Sequence, residues 1–180
     1  FPYVALFSFP FSEMLESENK IKVTTELTQL IQKECSQAEI WAIACNTLHC
    51  YLKGIEKPNQ FVHLIEEVAK AITPGQKPVV FCSTTSKINQ IHRAYFQCDY
   101  PEFAIQKVID HLIDEIVANK PSKETYDQFI SLLENYKERQ IVLGCTEFSV
   151  LNDHFKLPAN VLDPLQILAE KICELHFIKN

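Results

Sequence analysis

Residues 41–49 of this 180-residue chain read Trp-Ala-Ile-Ala-Cys-Asn-Thr-Leu-His, an apolar run that stops at a cysteine and two polar side chains. Short apolar runs closed by polar residues are typical of buried strands in parallel sheets. Residues 140–147, Gln-Ile-Val-Leu-Gly-Cys-Thr-Glu, repeat the arrangement in the second half of the chain. The repeat predicts a parallel α/β fold in which Cys45 and Cys145 each follow a strand.

Strands and helices alternate along the rest of the sequence, which favours a parallel α/β architecture. Beyond the two motif strands, the apolar patterns predict strands over 1–9, 79–82 and 161–163 and helices around 20–35, 59–72, 101–119, 122–138 and 164–175. The clearest break is the Thr-Pro-Gly-Gln-Lys-Pro segment at 73–78. We therefore expect two pseudo-symmetric lobes with parallel sheets flanked by helices, and a ligand site in the cleft between them. The first lobe would comprise 1–74 plus 161–180, and the second 75–160.

The composition narrows the class of protein. A hydrophobic content of 47% suffices for a substantial core, and a net charge of −6 argues against a nucleic-acid or anionic-membrane partner. No apolar run approaches the roughly 18 residues of a membrane span. Seven cysteines without a secretory signal favour free thiols in a reducing cytoplasm. Three glycines are too few for a glycine-rich phosphate loop.

Two thiols at strand ends suggest proton-transfer chemistry. A helix start beside each thiol offers free N–H groups and partial positive charge, so we expect both thiol pKa values to lie below the usual value of about 8.5. One thiolate and one thiol could remove and return a proton at a carbon next to a carboxylate. A metal site is not expected, because Cys45, His49 and Cys50 match no common zinc spacing and lack a fourth ligand.

Several of these residues also have an ordinary structural interpretation. Asn46, Thr47 and Thr146 could simply cap helices, and Glu147 could be an acid in a first helical turn. His49 could tune the Cys45 thiol, or it could be a solvent-facing or capped histidine. Asp163 could border the cleft or cap the helix that Pro164 begins. Because cysteine is often buried, five thiols are expected to be structural, namely Cys35, Cys50, Cys82, Cys98 and Cys173.

The segments Ala44-Cys45-Asn46-Thr47-x-His49 and Leu143-Gly144-Cys145-Thr146-Glu147 resemble the two signatures of the aspartate/glutamate racemase family. The resemblance implies a racemase without a pyridoxal cofactor, in which Cys45 and Cys145 exchange the Cα proton on opposite faces of aspartate or glutamate. Residues 82–86 resemble the family's Ala-Thr-x-x-Thr element. Glutamate rather than histidine at 147 is similar to the aspartate-type branch. The implied substrate-binding residues are Asn46, Thr47, Ser83, Thr84, Ser86, Thr146 and Glu147.

The resemblance extends from Phe1 to the C-terminal helix. Family members begin with a further strand and a glycine-rich turn. Either this N-terminal element was lost from the sequence, or the chain has dispensed with it. In the second case the first lobe is expected to lack that strand, and a homodimer partner could cover the open sheet edge. The family's substrate-gripping arginine is absent after the first strand, and the only arginines are Arg93 and Arg139. Alternative hypotheses are therefore a racemase-like binding or assembly protein without turnover, or a two-cysteine enzyme acting on hydantoins or maleate.

Overall fold

The fold was analysed in a computed structural model, which describes residues 3–11, 19–118, 121–153 and 156–179. The strands are β1 (Ile40–Ala42), β2 (Gln60–Val62), β3 (Val79–Phe81), β4 (Ile141–Leu143) and β5 (Val161–Leu162). The α-helices are α1 (Lys20–Glu34), α2 (Leu64–Ala71), α3 (Thr84–Ile88), α4 (Phe103–Val117), α5 (Lys123–Asn135) and α6 (Pro164–Lys179). None of the described helices combines the length and the apolar character that crossing a membrane would require.

Two parallel sheets carry the fold. Strands β1 and β2 form one pair, with Trp41 opposite Phe61. The second sheet has the order β3-β4-β5, with Phe81 opposite Leu143 and Ile141 opposite Val161. Helices flank both sheets, so the predicted parallel α/β class is confirmed.

The second sheet is buried on both faces, which explains why its strands are continuous apolar runs. Side chains of β3 and β4 alternate between two cores, as the period of a strand requires. Phe81 and Leu143 pack with helices α4 and α5, for example against Phe129. Val80 and Val142 face a second core on the opposite side of the sheet. The carboxyl ends of β3 and β4 therefore lie together at one edge, where the residues after each strand meet.

The last segment contributes to both sheets. Strand β5 pairs with β4 in the second sheet, whereas Leu168 of α6 packs with Val62 and Leu64 of the first sheet and α2. The grouping of 161–180 with the first lobe, like the division of the chain into two lobes, stays a prediction. Asp163 caps α6, because its carboxylate accepts from the N–H of Leu165 at 2.9 Å.

The strand predicted over residues 1–9 is wrong for the part that the structure describes. Residues 3–11 form no strand, and Tyr3, Val4 and Leu6 are 95%, 80% and 91% exposed. A strand needs a neighbour for its N–H and C=O groups, and among the described residues β1 pairs with β2 alone. Apolar composition was therefore insufficient to make this segment part of a sheet.

The helix predicted over residues 59–72 is also shorter than expected. Its first residues form strand β2, and His63 rather than Asn59 caps α2, accepting from the N–H of Glu66 at 3.3 Å. Asn59 instead has a φ of 54°, and its amide donates to the carbonyl of Ala38 at 2.7 Å. Asparagine tolerates this left-handed conformation better than most residues. Its hydrogen bond to Ala38 joins the two segments that lead into β1 and β2.

Candidate active site

The first cysteine lies on a short loop after β1. The strand ends at Ala42, three residues earlier than Cys45, and a 3-10 helix over Thr47–Tyr51, the Cys45 loop helix, follows. Burial raises the pKa of the Cys45 thiol above its usual value, and the negative charge of Glu147 adds to that increase. The backbone N–H groups of Leu48 and Thr47 and the Thr47 hydroxyl bond to the sulfur and act in the opposite direction.

The second cysteine lies at the corresponding place after β4. Gly144 separates it from the strand, and a 3-10 helix over Thr146–Asp153, the Cys145 loop helix, follows. The Cys145 thiol donates a hydrogen bond of 2.8 Å to the Glu147 carboxylate. Burial raises the pKa of this thiol strongly, and the adjacent carboxylate raises it further because it stabilises the protonated sulfur.

The charge of Glu147 acts on both cysteines. Its carboxylate accepts from Cys145 and acts electrostatically on Cys45, which belongs to the other half of the chain. The structure therefore brings both predicted cysteines within the influence of one charged group. The expected lowering of the thiol pKa values is wrong, because burial and Glu147 outweigh the few N–H groups at the start of a short 3-10 helix.

Replacing Glu147 by glutamine is expected to increase the alkylation rate of Cys145 near neutral pH roughly tenfold. The substitution keeps the side-chain shape but removes the charge that favours the thiol over the thiolate. Iodoacetamide labelling followed by peptide mass spectrometry measures the change, with the exposed Cys173 of α6 as an internal reference. Equal Cys145 labelling in both proteins would contradict the proposed influence of the carboxylate.

The hydroxyl cluster after β3 lies at the same sheet edge, because β3 and β4 are paired. Ser83 caps α3, accepting from the N–H of Ser86 at 3.3 Å and donating to its hydroxyl at 3.1 Å. Thr84 is turned away from this pair. Its N–H and hydroxyl donate to the two carboxylate oxygens of Asp110 in α4, at 2.8 and 2.6 Å. The polar groups of Thr84 that would bind a substrate are thus already engaged.

On the Cys145 loop, the Thr146 hydroxyl is 3.5 Å from the Glu147 carboxylate. Thr146, Glu147 and Cys145 thus form one local cluster, to which the electrostatic effect of Glu147 adds Cys45. The cap that the sequence suggested for Asn46 does not form, since Asn46 makes no side-chain cap hydrogen bond to the Cys45 loop helix.

Two buried histidines lie next to these loops. His49 is 3% exposed, which excludes the solvent-facing interpretation, and its Nδ1 is 2.8 Å from the carbonyl oxygen of Cys45. His92 is 1% exposed, and its ring packs against Gly144. Sequence reasoning missed His92 because it belongs to no motif. Only Gly144, directly before Cys145, could have indicated in the sequence that another side chain comes close to the backbone there. A glycine does not show which residue that side chain belongs to.

Both histidines are neutral near pH 7. Burial lowers the pKa of His49 to about 4, with a smaller effect of His63, and burial likewise lowers the pKa of His92 to about 4, with a smaller effect of His49. An unfolded chain would bind these protons at about pH 6.5. Between those values the unfolded state therefore binds more protons than the folded state. The stability of the folded protein therefore decreases as the pH is lowered.

The free energy of unfolding is therefore expected to decrease steadily as the pH falls from 6.5 to 4. Replacing His92 by phenylalanine should make this decrease shallower, since one of the depressed histidine pKa values is removed. Urea denaturation followed by circular dichroism at a series of pH values measures the slope. An unchanged slope in the variant would show that His92 is not held neutral in the folded protein.

A separate open groove of about 930 Å³ lies between the Cys45 loop helix and residues 89–95. His49, His63 and Tyr95 contribute to its wall, but neither Cys45 nor Cys145 does. The thiols, not this groove, define the candidate active site. Within the described ranges, no three histidine, cysteine or carboxylate side chains come together as metal ligands.

Known proteins are similar to this chain both in sequence profile and in fold. The profile of the Asp/Glu/hydantoin racemase family matches residues 3–172. The aspartate racemase of Picrophilus torridus is similar in structure, with a TM-score of 0.68 and 20% identity over 91% of this chain and 71% of that protein. An aspartate racemase homologue from Pyrococcus horikoshii has a TM-score of 0.73 and 22% identity, covering 97% and 84%. Glutamate racemase from Thermus thermophilus has 0.56 and 18%, covering 92% and 64%.

Proposed function

The chain belongs to the Asp/Glu/hydantoin racemase family, and we propose that it is a racemase of an acidic amino acid, aspartate or glutamate, that works without a pyridoxal cofactor. Cys45 and Cys145 are the two proton-transfer groups. The observation that supports this most directly is the convergence on Glu147: its carboxylate bonds to one of the thiols and shifts the pKa of the other.

The two thiols differ in a way that suits a two-base mechanism. Cys145 donates a hydrogen bond to the Glu147 carboxylate and keeps its proton, so it is the thiol in the ligand-free protein. The Cys45 sulfur accepts from the N–H groups of Thr47 and Leu48, which favour its thiolate, whereas burial raises its pKa overall. Cys45 must therefore lose its proton before it can act as the base. In one direction the Cys45 thiolate removes the Cα proton: an S–H bond forms, and the electron pair of the C–H bond moves into the carboxylate as an enediolate.

Cys145 then completes the inversion from the opposite face. Its S–H bond breaks, the proton bonds to Cα, and the sulfur is left as a thiolate. In the reverse direction the two cysteines exchange roles. Asn46, Thr47, Ser83, Ser86 and Thr146 are the groups we assign to the small-molecule substrate, and the carboxylate of Glu147 suits its ammonium group. We leave Thr84 out of this set because Asp110 holds it.

Incubation in deuterated water tests the proposal. Enantiopure L- or D-aspartate, or the corresponding glutamates, should lose the Cα–H signal in proton NMR while the optical rotation decays toward zero. Removal of a Cα proton and its replacement from solvent-exchanged thiols require both changes. Absence of exchange with all four compounds would refute an acidic amino acid as substrate.

A hydantoin is the second candidate substrate, and the charges near the thiols favour it. Glu147 is negative, and both arginines are engaged elsewhere: Arg93 donates to the carbonyl of Cys98 at 3.2 Å, and Arg139 to Asp99 at 2.8 Å. A second substrate carboxylate would usually be held by a guanidinium, whereas an uncharged cyclic amide needs none. The same exchange assay with L-5-methylhydantoin distinguishes the two. A racemase-like binding protein would instead show stabilisation by ligand without exchange.

A further inference from the structure

Four side-chain nitrogens in three residues next to the cysteines are buried without a hydrogen-bond partner. They are Nδ2 of Asn46, Nε2 of His49, and both ring nitrogens of His92. The three residues are 4%, 3% and 1% exposed. Buried polar groups in folded proteins are nearly always partnered, so a cluster of unpartnered ones indicates a place where something else binds.

Asn46 and His49 lie on the same face of the Cys45 loop helix. Asn46 precedes the Cys45 loop helix and His49 lies three residues later, and side chains three residues apart eclipse each other on a 3-10 helix. Both are buried, whereas Cys50 on the same helix is exposed. The buried face of this helix therefore presents two unpartnered nitrogens to the interior of the protein.

The hydrogen-bond roles of these nitrogens follow from their surroundings. The carbonyl of Cys45 can only accept, so Nδ1 of His49 carries the ring proton and Nε2 is left as an acceptor. The Asn46 nitrogen is a donor. A neutral His92 offers one donor and one acceptor.

His92 connects this face to the second cysteine. A Cβ atom at Gly144 would be 2.9 Å from the Cε1 and Nε2 atoms of the His92 ring. Only glycine allows the imidazole to approach the backbone beside Cys145 so closely. The electrostatic effect of His49 on His92 agrees with the two rings being near each other. The unpartnered nitrogens thus extend from the Cys45 loop to the Cys145 loop.

We propose that Asn46, His49 and His92 form a polar slot that binds the two groups flanking the reacting carbon of the substrate. Nε2 of His49 accepts from the N–H attached to that carbon, and Asn46 and His92 donate to the oxygen of the neighbouring carboxylate or carbonyl. Binding both groups would orient the C–H bond of the reacting carbon relative to the thiols. The slot rests on the proposed function, and it assigns binding roles to His49 and His92.

α-Amino acids and hydantoins both carry this N–H and this oxygen, so each needs its own pair of probes. L-Aspartate is compared with succinate, which lacks the amino group, and 5-methylhydantoin with 1,5-dimethylhydantoin, which lacks the N–H on the reacting carbon. Calorimetry of the wild-type protein should show that one N–H-bearing compound binds at least tenfold more tightly than its matched analogue. In the His49→Phe variant this preference should disappear, because the acceptor is gone while the ring shape is kept.

His63→Phe is the matched control. The His63 ring packs against His49 with 4.4 Å between centroids, but both of its nitrogens already have partners, the N–H of Glu66 and the hydroxyl of Tyr95. This variant should keep the wild-type preference. His92→Phe should weaken binding of both members of a pair by about the same factor, roughly tenfold, because it removes an oxygen contact that they share.

NMR of wild-type protein labelled with ¹⁵N-histidine tests the slot without a substitution. The spectrum of the free protein should show the Nδ1–H form of His49, and saturation with the preferred ligand should shift the Nε2 signal of His49 and a signal of His92. If ligand binds and deuterium exchange proceeds while these signals and the His49→Phe preference stay unchanged, the slot is refuted and the proposed racemase is not. If none of the four compounds binds and neither aspartate nor glutamate exchanges its Cα proton, both are refuted.

Discussion

Replacing Cys45 or Cys145 by alanine is expected to reduce the rate of racemisation by about 10²–10⁴-fold in each case. Each thiol serves one face of the reacting carbon, so neither can substitute for the other. Because the two act as a unit, the double variant should be little slower than either single variant. Polarimetry and Cα deuterium exchange in parallel measure the two halves of the reaction.

Cys50→Ala is the matched control for this experiment. Cys50 belongs to the same loop helix as the residues that bond to the Cys45 sulfur, but it is exposed and free. Its loss should leave the rate within about twofold of wild type, as expected for a surface position. A Cys45→Ala or Cys145→Ala protein that racemises its substrate at the wild-type rate would refute the two-thiol mechanism, although the protein would still be a racemase.

Replacing Gly144 by alanine is expected to have the largest effect on stability, a loss of about 1–3 kcal/mol in the free energy of unfolding. The new Cβ would be 2.5 Å from Cγ1 of Val80 and 2.9 Å from the His92 ring. Val80 in β3 is fully buried and His92 is nearly so, so neither side chain can move aside at low cost. Denaturant titration measures the loss, and exchange activity should fall with it because the Cys145 loop must shift.

Gly54→Ala separates crowding from backbone strain. Gly54 has a φ of +82° with nothing within 4 Å of a Cβ, so this change should cost about 1–2 kcal/mol from conformation alone. It should not disturb the His92 signals in the NMR spectrum. Combining Gly144→Ala with His92→Ala should cost less than the sum of the two single changes, since the smaller side chain relieves one of the clashes. Strict additivity would contradict the packing of His92 against Gly144.

Several parts of the fold were accessible from sequence because they depend on local patterns. The runs before Cys45 and Cys145 predicted parallel strands, and β1 and β4 lie there, since continuous apolar residues require burial on both sides. Strand β2 was missed because its apolar residues merge with the helical pattern of α2. Residues 3–9 show the converse error. Their composition suits a strand, but strand formation depends on a neighbour that composition does not reveal.

The candidate site likewise has features that the sequence could predict and features that it could not. That the residues after β3 and β4 meet could be predicted, because the carboxyl ends of adjacent parallel strands lie at one edge of a sheet. The protonation of its thiols could not. Helix starts are visible in sequence, but the approach of Glu147 to Cys45 and the extent of burial depend on how the two halves pack. The hydrogen bond from Thr84 to Asp110 could not be predicted for the same reason, since Asp110 reaches Thr84 only through the packing of α4 on the second sheet.

The sequence by itself determined the parallel α/β class, the two cysteines at strand ends and the family, because each follows from residue types at short spacing. Only the tertiary structure decided that Cys145 is held as a thiol, that Thr84 is engaged, and that His49 and His92 are buried with nitrogens left unpartnered. The physical reason is that charge, burial and hydrogen bonding at a site depend on distances between residues far apart in the chain. Those distances arise when the two sheets and helix α6 pack together.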